Sequence, residues 1–158
     1  IRDFKSSIRY LEFVASDNER VVYQDFNYSS YKLQTSIHAV KEQFPNQGLV
    51  TIIELNPYEA ADGNFLGQYR SSMDESDYAI VFVNKDAIKD KNILISNLET
   101  EIKQVFNHKN FTFLKDVISL ENYLESFKSL GFNMLFMVSP NHSSVNIVGF
   151  ADKFFKNY

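Results

Sequence analysis

The sequence has no cysteine, no tryptophan, three prolines and five glycines in 158 residues. Without cysteine there can be no disulfide, no thiolate metal ligand and no cysteine nucleophile, a composition that suits a reducing cytoplasm. The glycines, Gly48, Gly63, Gly67, Gly131 and Gly149, are scattered. None builds a G-x-x-x-x-G-K-[ST] phosphate loop, a G-x-G-x-x-G dinucleotide turn or a G-x-S-x-G nucleophile elbow. The chain therefore lacks the usual means of cradling a triphosphate by itself. Runs of lysine and arginine are missing too: net charge is −4 and the pI is near 5.4. A nucleic-acid partner needs a basic face, so none is expected. The longest apolar run, Phe132 to Val138, is broken by Asn133 and is far shorter than a membrane span, so no membrane is expected as a partner. His38, His108 and His142 have no metal-ligand spacing, and no metal site is expected. No secretory signal opens the chain, and Ile1-Arg2-Asp3-Phe4 lacks a start residue, which suggests a piece of a longer cytoplasmic protein.

What is present is apolar and aromatic: 44% of residues are hydrophobic, with 15 Phe and 9 Tyr. That is enough to form a core, and it excludes disorder. The length suits one domain covering residues 1–158. Ile8 to Ala15 alternates as a strand, Asp17-Asn18-Glu19-Arg20 turns, and Val21 to Gln24 returns as its antiparallel partner. Ser29 or Ser30 caps a helix through Leu33, Ile37, Val40 and Phe44, which Pro45-Asn46-Gln47-Gly48 ends. Leu49 to Leu55 reads as a buried parallel strand. After the loop Asn56 to Gly63 comes a helix carrying Phe65, Leu66, Tyr69 and Met73, then a strand from Tyr78 to Val83. Ser96 and Glu99 form a capping-box pattern for a helix through Leu98, Ile102 and Phe106. A short strand, Phe111 to Leu114, leads to a helix through Leu120 and Phe127 that Gly131 should close at C′. Phe132 to Ser139 is the last strand, Pro140 to Ser144 a loop, and a final helix holds Phe150, Phe154 and Phe155. The alternation predicts a three-layer, Rossmann-like α/β fold: a mostly parallel sheet, helices on both faces and a leading antiparallel hairpin.

In such a sheet ligands sit beyond the carboxyl ends of the strands. Three loops reach that edge: Asp25 to Ser30, Asn56 to Asp62 and Ser139 to Ser144. Asp25 could bind a ribose hydroxyl or a metal-bound water, or be a solvated residue that helps to cap the next helix. Glu54 could reach the same crevice or simply mark a strand exit. His142 could contact a phosphate or lie exposed.

The run Val21-Val22-Tyr23-Gln24-Asp25-Phe26-Asn27-Tyr28, with Lys32-Leu33 and Ala39-Val40-Lys41-Glu42-Gln43-Phe44-Pro45, resembles the C-terminal domain of Mur ligases. Phe65-Leu66-Gly67-Gln68-Tyr69 and Met73-Asp74-Glu75-Ser76-Asp77-Tyr78-Ala79 extend the likeness. The nearest branches are the UDP-N-acetylmuramate–alanine ligase and the ligase that recycles a murein tripeptide. The resemblance implies a domain that closes over a nucleotide and selects the incoming amine in an ATP- and Mg²⁺-dependent, ADP-forming ligase of peptidoglycan synthesis or recycling. Its partners would be the central domain, which binds most of the nucleotide, and the N-terminal domain, which holds UDP-N-acetylmuramate; the domain alone would not be catalytic. By position it implies nucleotide contacts at Asp25 and Tyr28, and substrate contacts at Asn56, Tyr58, Asn141 and His142. The family's first-turn His is Tyr28 here and its Pro is Ser30. The second loop, Asn56-Pro57-Tyr58-Glu59, has no Arg, and the last loop has no glycine. The alternative is a non-catalytic paralogue that binds a muropeptide or regulates a partner. A freestanding nucleotide-binding domain is a third reading, weakened by the missing glycine turn.

Overall fold

The computed structural model describes residues 11–26, 29–139 and 143–156. Strand β1 (Leu11–Ser16) pairs antiparallel with β2 (Val21–Asp25), with Leu11 opposite Asp25 and Ser16 opposite Val21. The expected start of β1 at Ile8 lies outside the described residues. The connecting turn needs no glycine because Asp17 folds it: Oδ1 accepts the N–H groups of Glu19 at 2.9 Å and Arg20 at 2.7 Å. Arg20 then reaches across the molecule. Its guanidinium donates to Asp17 Oδ2 at 2.7 Å and to the Lys128 carbonyl at 2.6 Å, and lies 4.9 Å from the centre of the Phe154 ring.

Helix α1 (Ser30–Gln43) follows, and Ser29 is its cap, accepting from the Lys32 N–H at 3.3 Å. β3 (Leu49–Glu54) is buried throughout. The short helices α2 (Pro57–Ala60) and α3 (Gly63–Gly67) lead to β4 (Tyr78–Phe82). A 3₁₀ turn at Lys85–Ala87, α4 (Ile95–Phe106), β5 (Phe111–Leu114), α5 (Val117–Glu125), β6 (Asn133–Met137) and α6 (Ile147–Phe155) complete the order.

Among the described residues the strands form one six-stranded sheet in the order β1-β2-β6-β3-β4-β5, parallel except for β1. Helices α1, α3 and α4 cover one face, with Leu33, Ile37, Leu66, Ile102 and Phe106 packed on Tyr23, Ile53 and Val81. Helices α5 and α6 cover the other, with Leu120, Leu124, Phe150 and Phe154 on Ile52, Ile80 and Phe136. Connections running toward β5 use the first face, and the return to β6 uses the second. Right-handed crossovers require this, because reversing direction along the sheet reverses the covered face.

Three local expectations are corrected. The helix predicted to carry Phe65 through Met73 stops at Gly67, and the chain continues in i→i+3 turns, Tyr69 to Leu66 and Ser72 to Tyr69, both at 3.0 Å. Leu66, Tyr69 and Met73 are still buried, so the apolar spacing recorded which residues pack and not which backbone carries them. Ser96 does not cap α4: Leu94 precedes the helix, makes no side-chain cap, and Ser96 lies inside. The left-handed residue that ends α4 is Asn107, at φ 47°, a conformation asparagine tolerates. Gly131 is not a left-handed C′ residue, since no described glycine has positive φ. α5 has already ended at Glu125, and i→i+3 bonds fold Phe127 back into the core.

Acid should destabilise this scaffold in a defined window. Burial tends to raise the Asp17 carboxyl, but the Arg20 guanidinium and the Glu19 and Arg20 N–H groups outweigh it and hold Asp17 below the ordinary carboxylate value. The Ser119 N–H and hydroxyl hold Asp116 down in the same way. A carboxyl with a depressed folded-state pKa contributes stability that is complete above its unfolded value, about 3.9, and is lost as pH falls through the folded value. Urea midpoints should therefore stay level in this respect down to about pH 5 and fall below about pH 4. Asp17→Asn should make that fall shallower.

Candidate functional site

β3 and β6 are neighbours whose following segments leave for opposite faces, β3 toward α2 and α3, β6 toward α6. That divergence opens a crevice at the sheet's carboxyl edge. A cavity of about 250 Å³ occupies it, lined by Glu54 at the end of β3 and Leu55, Asn56 and Pro57 after it, Asn84 and Ala87 after β4, and Ser139, Ser143 and Ser144 after β6.

Each wall is fixed by its own chain. Glu54 alternates onto the α6 face of β3 and is 8% exposed. Its carboxyl accepts the Ser144 N–H, at 3.0 Å to Oε1 and 3.3 Å to Oε2, and so ties the loop after β6 to the end of β3. Asn56 caps α2, its Oδ1 accepting from Tyr58 N at 2.8 Å and Glu59 N at 3.2 Å, with Pro57 in the first helical turn where a missing N–H is harmless. Asn84 caps the 3₁₀ turn through Oδ1 and donates from Nδ2 to Ser144 Oγ at 2.9 Å. The lining holds one carboxyl group, neutral amides and hydroxyls, and neither lysine nor arginine.

Of the residues expected here, Asn56 and Glu54 line the cavity. Tyr58 does not: it is 43% exposed, and its hydroxyl accepts the Lys89 N–H at 2.7 Å, joining the segment after β3 to the one after β4. Asp25 is fully buried on the α1 face of β2, and its Oδ2 accepts the Ser36 hydroxyl at 2.8 Å. It is not solvated, and the N-cap residue of α1 is Ser29. Tyr28, Asn141 and His142 lie outside the described residues. His108 is structural: its Nδ1 accepts the Asn110 N–H at 3.0 Å, so Nε2 carries the proton and donates to the Ser76 carbonyl at 2.7 Å. Asn84 and Ser144 were not singled out by sequence reasoning. The signal for Asn84 was its place directly after a strand, before Lys85-Asp86. Among the described residues there is no group of three or more His, Asp or Glu able to hold a metal ion, and no helix long and apolar enough to cross a membrane.

The same three-layer arrangement occurs in solved proteins. One is a domain assigned to a UDP-N-acetylmuramate:L-alanyl-γ-D-glutamyl-meso-diaminopimelate ligase of Haemophilus ducreyi, with a TM-score of 0.59 and 16% identity over 91% of this chain and 95% of that domain. A second is the murein peptide ligase of Psychrobacter arcticus, with a TM-score of 0.67 and 13% identity over 90% of this chain. The fold is that of a Mur ligase domain. A UDP-N-acetylmuramoyl-L-alanyl-D-glutamate–2,6-diaminopimelate ligase matches as well, with a TM-score of 0.63 and 14% identity over 81% of this chain. The Mur-ligase-like chain spans 28% of the length of the second of these proteins and 25% of the third. No protein-family model and no curated protein matches it.

Proposed function

We propose that this chain is the C-terminal domain of a longer ATP-dependent, ADP-forming ligase. That enzyme joins an amino acid or peptide to UDP-N-acetylmuramate in the cytoplasm, for peptidoglycan synthesis or recycling. The observation that carries the reading is the fold match over 90% of the chain to a murein peptide ligase, with the crevice at the sheet's carboxyl edge. The domain's work would be closure: bringing the loops after β2, β3 and β6 over the reaction centre, excluding water and positioning the amine.

The described residues at that edge do not fit a triphosphate or its Mg²⁺. The cavity has no cation in its lining, and its one carboxyl group is taken up by the Ser144 N–H. Binding of ATP and Mg²⁺ is therefore assigned to the central domain of the parent chain, and UDP-N-acetylmuramate to the N-terminal domain. Tyr28, with Asp25 acting through the loop between β2 and α1, on the nucleotide side, and Asn56, Tyr58, Asn141 and His142 on the amine side, are the proposed contributors in the closed state. The absence of lysine and arginine from the cavity lining favours a second reading as well, a non-catalytic paralogue that binds a muropeptide or regulates a partner.

ADP release separates the two. The full-length protein is given ATP, Mg²⁺ and UDP-N-acetylmuramate, with L-alanine and with murein tripeptide in separate tubes. Release that depends on one amine is the expected result and names the substrate. No release from a folded protein that binds the UDP-sugar would overturn the ligase reading and leave the second.

A further inference from the structure

A larger groove lies away from the strand ends, between the outer face of α1 and the 71–75 turn, with a volume of about 580 Å³. That size suits a small organic ligand. One wall is a stripe of α1 at three- and four-residue spacing: Tyr31, Gln34 or Thr35, His38 and Glu42. The stripe runs for about 16 Å at 1.5 Å per residue. The opposite wall is Ser71, Ser72, Asp74 and Glu75, and Ile37 and Ala39 supply apolar surface between them.

Three observations define what the groove would take. Its charge has one sign: Glu42, Asp74 and Glu75 line it, and no lysine or arginine does. Lys41 lines an adjoining hollow and is held by Asp77 Oδ2 at 2.7 Å and the Gln47 carbonyl at 3.3 Å. His38 Nδ1 lies 3.1 Å from Glu75 Oε1. At the other end Tyr31 is 73% exposed, an aromatic face open to a cation. Between them the left-handed backbone of Ser71, at φ 59°, turns Ser72 into the wall; Ser72 is 3% exposed, and its hydroxyl has no hydrogen-bond partner among the described residues. A donor seated against that wall would supply one.

We propose that this groove binds a linear aliphatic polyammonium ligand. One ammonium sits among Glu42, Asp74 and Glu75, the alkyl chain lies along α1, and a second ammonium lies against the Tyr31 ring. The carboxylates are spread along two walls and do not form a chelating cluster, which suits spaced ammonium groups better than a metal ion. An anion is excluded by the sign of the charge.

Equilibrium dialysis of the full-length protein against spermidine tests this, with propylamine as a monovalent comparison and an oligolysine peptide as a macromolecular one. Spermidine should bind more tightly than either and weaken strongly in high salt, because the carboxylates are exposed. The triple variant E42Q/D74N/E75Q should lose about tenfold or more in affinity, the sum of several modest ionic contacts. Tyr31→Ala should lose about threefold. A second triple variant on other faces, E101Q/E125Q/D152N, changes net charge equally and should bind as before. Circular dichroism establishes that both triple variants are folded. Equal losses in the two triple variants, no preference for spermidine over propylamine, or tighter binding of oligolysine would each overturn the proposal.

Discussion

Phe136→Ala should lower the unfolding free energy by about 3–5 kcal/mol, a large part of the roughly 5–15 kcal/mol that holds a domain of this kind together. Phe136 is fully buried in β6, a strand flanked by β2 and β3, with Gln24 and Ile52 as its backbone neighbours. Its ring centre is 5.9 Å from that of Phe150 on α6, and the Phe154 ring lies beyond, 5.4 Å from Phe150. Strands on both sides keep the backbone from collapsing into the hole, so the loss combines transfer and cavity terms. Urea unfolding measures it. The exposed Ile118→Ala, at a side chain 72% accessible, should shift stability by no more than about 0.5 kcal/mol. A loss below about 1.5 kcal/mol for Phe136→Ala would mean that this position can repack, contrary to a central place for β6.

The second large effect is expected at Asp25. Asp25→Ala removes the acceptor of the Ser36 hydroxyl, which is itself fully buried, and opens space between β2 and α1. A stranded buried donor costs about 1–3 kcal/mol, and with the lost packing the total should be about 2–4 kcal/mol. A double-mutant cycle with Ser36→Ala should show coupling of about 1–3 kcal/mol, because the two side chains share one bond. Near-zero coupling would mean that the Asp25–Ser36 bond does not clamp β2 to α1. The measurement also bears on the proposed function. Asp25 is so placed that it can hold the loop between β2 and α1, and any influence on a closing nucleotide would act through that loop.

The clearest successes of sequence reading are the elements with a strong local period. Leu33, Ile37 and Val40 recur at helical spacing and are buried on α1. Leu49 to Glu54 is a β-branched run buried along its whole length. Where packing supplied the signal without the matching backbone, reading failed, as at Tyr69 and Met73, which are buried from turns. Capping failed for a related reason. Ser96 and Glu99 fit the pattern, but the chain enters the helix one residue after Leu94, and no hydroxyl is used.

Asn133 shows the limit most plainly. In the sequence it is a polar break in an apolar run. In the fold it is 2% exposed, and its Oδ1 accepts the Val21 N–H at 2.8 Å, pinning β6 beside β2 across 112 residues. Asp25 and Glu54 belong to the same class. Both end strands and both read as crevice carboxylates, but residue alternation turns Asp25 toward α1 and Glu54 toward the loop before α6.

The sequence by itself determined the succession of strands and helices, the leading hairpin, the two-sided burial and the edge where the loops gather. These depend on periodicity and turn chemistry within about ten residues. Only the tertiary structure decided that β6 enters between β2 and β3, which loops share a cavity, and which carboxyl groups are already engaged. Strand order and side-chain partnership are contacts between residues distant in the chain. No local pattern encodes them until the sheet has closed.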